Sequence, residues 1–200
     1  MGGSGRCPGP ALPATDITLM NRVRIIGGSW RSRILRFPDA AGLRPTPDRV
    51  RETLFNWLGQ NLAGLNCLDL FAGSGALGFE AASRHAESVV MVEHNRGAFA
   101  ALEANAEALC ATGLHLVRAD ALKWICAPQR ADESRYDVVF LDPPYQSGLL
   151  PAIFSHLAQL LNPGARVYVE SAELFEQPGF NAIRSERAGQ VHYQLLQQSE

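Results

Sequence analysis

The chain has 200 residues, 46% hydrophobic and 19% charged, with a formal net charge of −2. That composition describes one globular domain, large enough to bury a core, with room for a small appendage. No run of about 18 apolar residues occurs, which excludes a membrane-spanning helix. The four cysteines, Cys7, Cys67, Cys110 and Cys126, form no Cys-x-x-Cys pair. That argues against a metal site or a disulfide and for reduced thiols in a cytoplasmic protein.

Residues 1–21 read as a disordered leader, because Gly, Ser and Pro interrupt every apolar stretch; Met20 is a candidate start. Residues 22–58 read as a basic hairpin and helix, and residues 59–200 as the main domain. Val23 to Ile26 and Trp30 to Phe37 alternate arginines with apolar residues around Gly27-Gly28, the pattern of a β-hairpin with a tight turn. Thr46 reads as an N-cap and Pro47 as the first helical residue of a helix to Leu58.

From Cys67 onward strands and helices alternate. Strands are expected at Cys67–Leu70, Ser88–Val92, Leu114–Arg118, Tyr136–Leu141 and Ala165–Glu170. Helices are expected at Ala76–Arg84, Arg96–Cys110, Leu122–Cys126 and Leu149–Leu160. Asn162-Pro163-Gly164 reads as a turn, and Phe180–Arg187 with Val191–Gln197 as a closing hairpin. Such alternation predicts an α/β fold, a mostly parallel sheet with helices on both faces.

Charge is unevenly spread. Residues 22–51 carry eight arginines against Asp39 and Asp48, a net +6, whereas residues 52–200 net −8. A basic arm on an acidic domain points to a polyanion met on one side, with Arg24, Arg31, Arg33, Arg44, Arg49 and Arg51 as candidate contacts.

Two segments carry the chemistry. Asp69-Leu70-Phe71-Ala72-Gly73-Ser74-Gly75-Ala76-Leu77-Gly78 leaves a strand and enters an Ala-rich helix. Gly73 and Gly75 permit a sharp turn and close approach of a ligand to the backbone. In a doubly wound sheet ligands lie over the carboxyl ends of the strands, where Asp69, Glu93, Asp120 and Asp142 all fall. Glu93 suits ribose hydroxyls; Asp120-Ala121 suits either an adenine amino group or a helix N-cap. The second segment, Asp142-Pro143-Pro144-Tyr145, offers a carboxylate, a rigid carbonyl and an aromatic face to a flat amine. Gly73 to Gly78 also fits a dinucleotide fingerprint, but hydride transfer has no use for Asp142 to Tyr145. The pair points to methyl transfer from S-adenosylmethionine to a planar nitrogen.

Arg24 to Arg31, Leu43 to Asn56, Asp69 to Gly78, Asp142 to Tyr145, Tyr168 to Ser171 and Ala188 to Val191 together resemble the RsmD family of bacterial 16S ribosomal RNA guanine-N2 methyltransferases. The resemblance implies a class I S-adenosylmethionine-dependent methyltransferase, with a Rossmann-like seven-stranded sheet and a small N-terminal β-hairpin extension. It implies cofactor binding by Asp69, Phe71, Ala72, Gly73, Ser74, Gly75, Glu93, His94, Asp120 and Ala121, and catalysis by Asp142, Pro143, Pro144 and Tyr145, without a metal. The partner implied is 16S ribosomal RNA within the small subunit or its assembly intermediate, methylated at a guanine expected to be position 966. A monomer is expected. Asn95 stands where the family often carries an acid. Methylation of DNA amino groups or of a protein glutamine is the competing enzymatic reading, and a non-enzymatic RNA-binding module the third.

Overall fold

The computed structural model describes residues 20–39, 45–127, 135–144 and 147–199. A two-stranded antiparallel ribbon, β1 (Met20–Arg24) and β2 (Ile34–Pro38), precedes helix α1 (Asp48–Leu58). Then follow β3 (Asn66–Asp69), α2 (Ala76–Ser83), β4 (Ser88–Val92), α3 (Arg96–Ala108), β5 (Leu114–Val117), α4 (Ala121–Cys126), β6 (Tyr136–Leu141) and α5 (Leu150–Leu157). A 3-10 turn (Ala158–Leu160) leads into β7 (Leu161–Ser171), β8 (Phe180–Ala188) and β9 (Val191–Gln198). The seven-stranded sheet runs β5-β4-β3-β6-β7-β9-β8, parallel from β5 to β7 and antiparallel at β9 and β8. This is the expected α/β architecture. The strand order reverses between β3 and β6, so their carboxyl ends open on the crevice where such sheets bind ligands.

The strands read as continuous apolar runs because both faces of the sheet are covered. Alternate residues serve opposite faces: Val138 and Phe140 of β6 join Tyr168 of β7 in one cluster, with Phe55 and Leu102 from the helices. Val139 and Leu141 join Val167 and Val169 in the other, with Ile125, Ile153 and Leu157. Val23, Leu35 and Phe37 of the ribbon belong to the first cluster, so ribbon and sheet domain share one core.

The ribbon departs from its expected form. Its strands are joined by residues 25–33, not by a tight turn at Gly27-Gly28, and this loop docks on α2. Ser29 N donates to Ser83 O (2.7 Å), Trp30 N to Ser83 Oγ (2.9 Å), and that hydroxyl donates to Gly27 O (2.6 Å). A Cβ on Gly28, at φ 73°, would lie 1.8 Å from Ser83 O. The glycines therefore permit close approach of loop and helix. The open edge of β2 is met by a side chain: Asn105 Oδ1 accepts from Arg36 N (3.1 Å), and its Nδ2 donates to Arg36 O (2.8 Å).

Three local expectations need correction. Met20 and Asn21, assigned by sequence to the leader, belong to β1; residues 1–19 lie outside the described set. Pro47, not Thr46, is the N-cap of α1, with no side-chain capping bond. Asn162-Pro163-Gly164 lies inside β7, where the pairing register with β6 shifts.

Among the described residues the most buried charged group is Glu80 on α2, 0% exposed. It accepts from Ile26 N (2.8 Å) and Gly27 N (2.7 Å), from Arg51 Nη1 (3.3 Å), and from Arg84 Nε (3.0 Å) and Nη2 (2.8 Å). Removing one partner of such a buried array strands the charges that remain, at a typical cost of about 3–5 kcal/mol. Glu80→Ala should lower unfolding stability by that order in urea titration, and Glu80→Gln by less.

Candidate active site

Asp69, at the end of β3, is 2% exposed; its Oδ2 accepts from Gly78 N (3.0 Å), and it also accepts from Phe71 N. The expected ligand carboxylate is thus a brace within the loop. Burial raises its pKa to about 7, opposed by the Gly78 bond and helped by the charge of Glu93. Gly73 (φ 50°) and Gly75 (φ 79°) both take left-handed backbone, and a Cβ on Gly75 would come within 2.5 Å of the Phe79 ring. Ala72 N donates to Val92 O (2.9 Å), tying the loop to the end of β4. Phe71 is half-buried, and Ser74 is buried with Oγ accepting from Ala76 N (3.3 Å).

Glu93 reaches back to the loop: Oε2 accepts from Gly73 N (2.9 Å) and Oε1 from Asn95 N (2.5 Å). His94 is exposed, with Nδ1 3.3 Å from Glu93 Oε1. Asn95 caps α3, accepting from Gly97 N (2.9 Å) and Ala98 N (3.0 Å). Asp120 is the N-cap of α4, accepting from Lys123 N (2.9 Å), and Ala121 behind it is buried. Of the two sequence readings of Asp120, the cap is the one the geometry displays.

Asp142 follows β6 directly, with Pro143 half-buried and Pro144 exposed; Tyr145 lies outside the described residues. Leu141 of β6 pairs with Val169 of β7, so the next residues along, Asp142 and Glu170, are brought side by side. Thr46 Oγ1 donates to Asp142 Oδ2 (3.3 Å), and Tyr168 OH donates to Glu170 Oε1 (2.8 Å). Burial holds Asp142 well above the usual carboxylate range, and the nearby charges of Glu170 and Asp69 add to this. Sequence reasoning missed Thr46 and Glu170. The only signal was their place in segments resembling the family.

The arginines divide. Arg31 and Arg49 are exposed; Arg24 lies 3.6 Å from Asp48, and Arg33 Nη2 donates to Ala108 O (2.9 Å). Arg44 lies outside the described residues. Arg51 must be withdrawn from the polyanion-facing set: its side chain is 0% exposed and bonded to Asp48 (2.6 Å), Glu80, Arg24 O (2.9 Å) and Thr46 O (3.1 Å). Arg22, Val23, Arg24, Ile34, Pro45, Thr46, Pro47 and Asp48 line a groove of about 350 Å³ that reaches the Thr46 beside Asp142.

A family model described as "Conserved hypothetical protein 95" matches residues 23–197. Ribosomal RNA small subunit methyltransferase D of Escherichia coli is 42% identical over 182 residues, 88% of this chain and 90% of that protein. The chain belongs to the RsmD family. The Haemophilus influenzae methyltransferase D is 40% identical, over 88% of this chain and 93% of that protein. The solved structure of Escherichia coli yhhF, described as a methyltransferase, superposes with a TM-score of 0.79 at 38% identity, covering 89% of this chain and 98% of that one. The fold of this RsmD-family chain is therefore that of a Rossmann-like methyltransferase with a ribbon extension.

Because the pKa of Asp69 is raised by folding from 3.8 to about 7, the folded chain binds a proton more tightly than the unfolded chain. Between those two values stability falls as pH rises. Asp69→Asn, which keeps an oxygen for the Gly78 N–H, should flatten that decline. Urea titrations at pH 4 to 8 on parent and variant measure it.

Proposed function

We propose that this RsmD-family protein methylates the exocyclic N2 of one guanine of 16S ribosomal RNA, using S-adenosylmethionine. The position expected from the family is guanine 966. The substrate form is the small subunit or its assembly intermediate, and the enzyme acts as a cytoplasmic monomer. The carrying observation is the juxtaposition of two segments. The Gly73–Gly75 loop leaves β3, and Asp142-Pro143-Pro144 leaves β6, its parallel neighbour in the sheet (Asp69 pairs with Phe140). The names of the 42% and 40% identical relatives support ribosomal RNA as the substrate class.

The residues present fit the cofactor. Gly73 and Gly75 take the left-handed backbone (φ 50° and 79°) that turns the loop sharply after β3, and Glu93 stands beside it with lone pairs left on both oxygens for ribose hydroxyls. When bound, S-adenosylmethionine supplies an electrophilic methyl group on a sulfonium. The protein's task is to present the amine. A guanine N2 is flat because its lone pair is delocalised into the ring. Asp142 accepts one N–H and the proline-fixed carbonyl beside it the other, which favours a pyramidal nitrogen with its lone pair exposed. Asp142 takes the proton that the amine loses as the methyl group leaves sulfur for nitrogen. Pro143 and Pro144 hold the acceptors in place with little backbone freedom, and Tyr145 supplies a stacking face. Arg24, Arg31, Arg33, Arg44 and Arg49 meet the RNA phosphates.

Asp142→Ala should bind cofactor as the parent does and lose about 10²- to 10³-fold in rate, the usual effect of deleting one preorganised hydrogen-bonding group. Single-turnover transfer to small ribosomal subunits, with the product identified as N2-methylguanine, tests this. Full activity, or a methyl group on another atom, would refute the assignment. Gly73→Val should abolish S-adenosylmethionine binding in calorimetry. Reversing Arg31 and Arg33 together to Glu should reduce the salt slope of RNA binding by roughly two phosphate contacts while leaving cofactor affinity unchanged.

A further inference from the structure

Asp142 does not stand alone at the end of β6. The parallel register with β7 sets Glu170 beside it, and the Thr46 hydroxyl, from the segment before α1, lies between the two. That hydroxyl donates to Asp142 Oδ2 at 3.3 Å, and the Glu170 carboxyl group, brought beside Asp142 by the strand register, feels the same hydroxyl. Glu170 is held from its other side by the Tyr168 phenol at 2.8 Å. Tyr168 is fully buried, and its ring packs on Tyr193 of β9 at 6.4 Å between centroids. Thr46 is fixed in turn, because Arg51 Nε donates to its carbonyl at 3.1 Å.

A hydroxyl has one hydrogen. Thr46 therefore donates to one carboxyl group, and accepts from the other only if that one carries a proton. Two carboxyl groups bridged by one hydroxyl would hold one proton and one negative charge, in either of two senses. We propose that Thr46 and Glu170 are positioning residues for Asp142. The three groups form one hydrogen-bonded unit with a single shared proton, which fixes Oδ2 of Asp142 and leaves Oδ1 to meet the target amine.

The proposal rests on the methyl-transfer reading for its last clause and on geometry for the rest. It gives Thr46, in the segment following Arg44, a role that helix capping does not explain. It also accounts for a glutamate in an otherwise apolar stretch of β7, where an unpaired carboxylate would be costly. Among the described residues, the charged and titratable groups around Asp142 are Asp69 from β3 and Glu170 and Tyr168 from β7, with the Thr46 hydroxyl between. Glu93 acts on Asp69. Removing Glu170's charge should ease ionisation of Asp142, and removing the Thr46 hydroxyl should hinder it, because the first raises its pKa and the second lowers it.

The test is a pair of pH titrations on the full chain. One follows the Asp142 carboxyl carbon by 13C NMR without RNA or cofactor. The other follows single-turnover methyl transfer to small ribosomal subunits. In Glu170→Gln both the Asp142 titration and the acid limb of the rate should move to lower pH, by roughly one unit or more. In Thr46→Val both should move to higher pH, with the rate above the limb down roughly 10²-fold from misplacement of the carboxylate. Thr46→Ser should restore the parent's profile. S-adenosylmethionine affinity should hold in all three. Titrations and acid limbs that coincide with the parent's in both Glu170→Gln and Thr46→Val would overturn the proposal, whatever their effect on rate. A parent that transfers no methyl group would instead defeat the functional reading, and the NMR titration would still judge the shared proton.

Discussion

Glu80 is the constraint on which the rest depends. One carboxylate, sealed inside α2, is shared by two backbone amides of the ribbon loop and two guanidinium groups. Such an array is a poor source of net stability, since desolvating the charges offsets much of their attraction. Its effect is to fix register. Two residues past the end of the Gly73–Gly78 loop, Glu80 locks that loop's helix to residues 26 and 27. Through Arg51 it also fixes α1 and the carbonyl of Thr46. The cofactor-type loop, the arginine-bearing ribbon and the hydroxyl on Asp142 therefore share one anchor. A shift of any one must strain the other two, because the packed core around Phe55 and Phe79 allows little independent movement.

The second feature is an accumulation of acid. Asp69, Glu93, Asp142 and Glu170 stand at the carboxyl ends of four strands; burial raises the pKa of Asp69, Asp142 and Glu170, and repulsion by neighbouring carboxylates adds to it at Asp69 and Asp142. Asp69 is compensated by amide donors and Glu93 by the amides of Gly73 and Asn95. Among the described residues the donor to Asp142 is the Thr46 hydroxyl, which leaves its other oxygen with capacity for a ligand. Under the methyl-transfer reading, an amine donating N–H bonds supplies what that carboxylate lacks.

Much of this was legible in the sequence. The apolar runs Ser88–Val92 and Tyr136–Leu141 are strands with the expected bounds, because a strand covered on both faces needs apolar residues at every position. Gly73 and Gly75 were readable because backbone sterics, a local property, single them out. The misses share the opposite character. Thr46 suits an N-cap by every local rule, yet its hydroxyl is taken by a residue 96 positions away. Arg51 belongs by composition to a basic run, but its partners Glu80 and Thr46 O bury it. Gly27-Gly28 has the composition of a tight turn, and the space it vacates is filled by Ser83 and Arg84. One sign was available. Glu80 is the single charged residue between Asp69 and Arg84 in an apolar, Ala-rich stretch, where an acid is tolerated only if its partners come from elsewhere.

Withdrawing Arg51 from the phosphate-facing set leaves the chain more polarised. The exposed cations left in that set lie on the ribbon and the start of α1, whereas Asp142 stands among the carboxylates of Glu170 and Asp69. Screening at physiological salt reaches about 8 Å, so neighbouring charges on each surface act together. A phosphate backbone is attracted to the first and repelled by the second. Only the uncharged part of a nucleotide, its base, enters an acidic crevice without that penalty. On the proposed function, the charge distribution thus favours an RNA whose backbone stays on the ribbon while one base is turned away from its neighbours toward Asp142. The cost of unstacking that base is lowest where it is already unpaired. Selection of the target then depends on RNA structure as well as on contacts to the base edge, which suits a substrate presented by a folded ribosomal subunit.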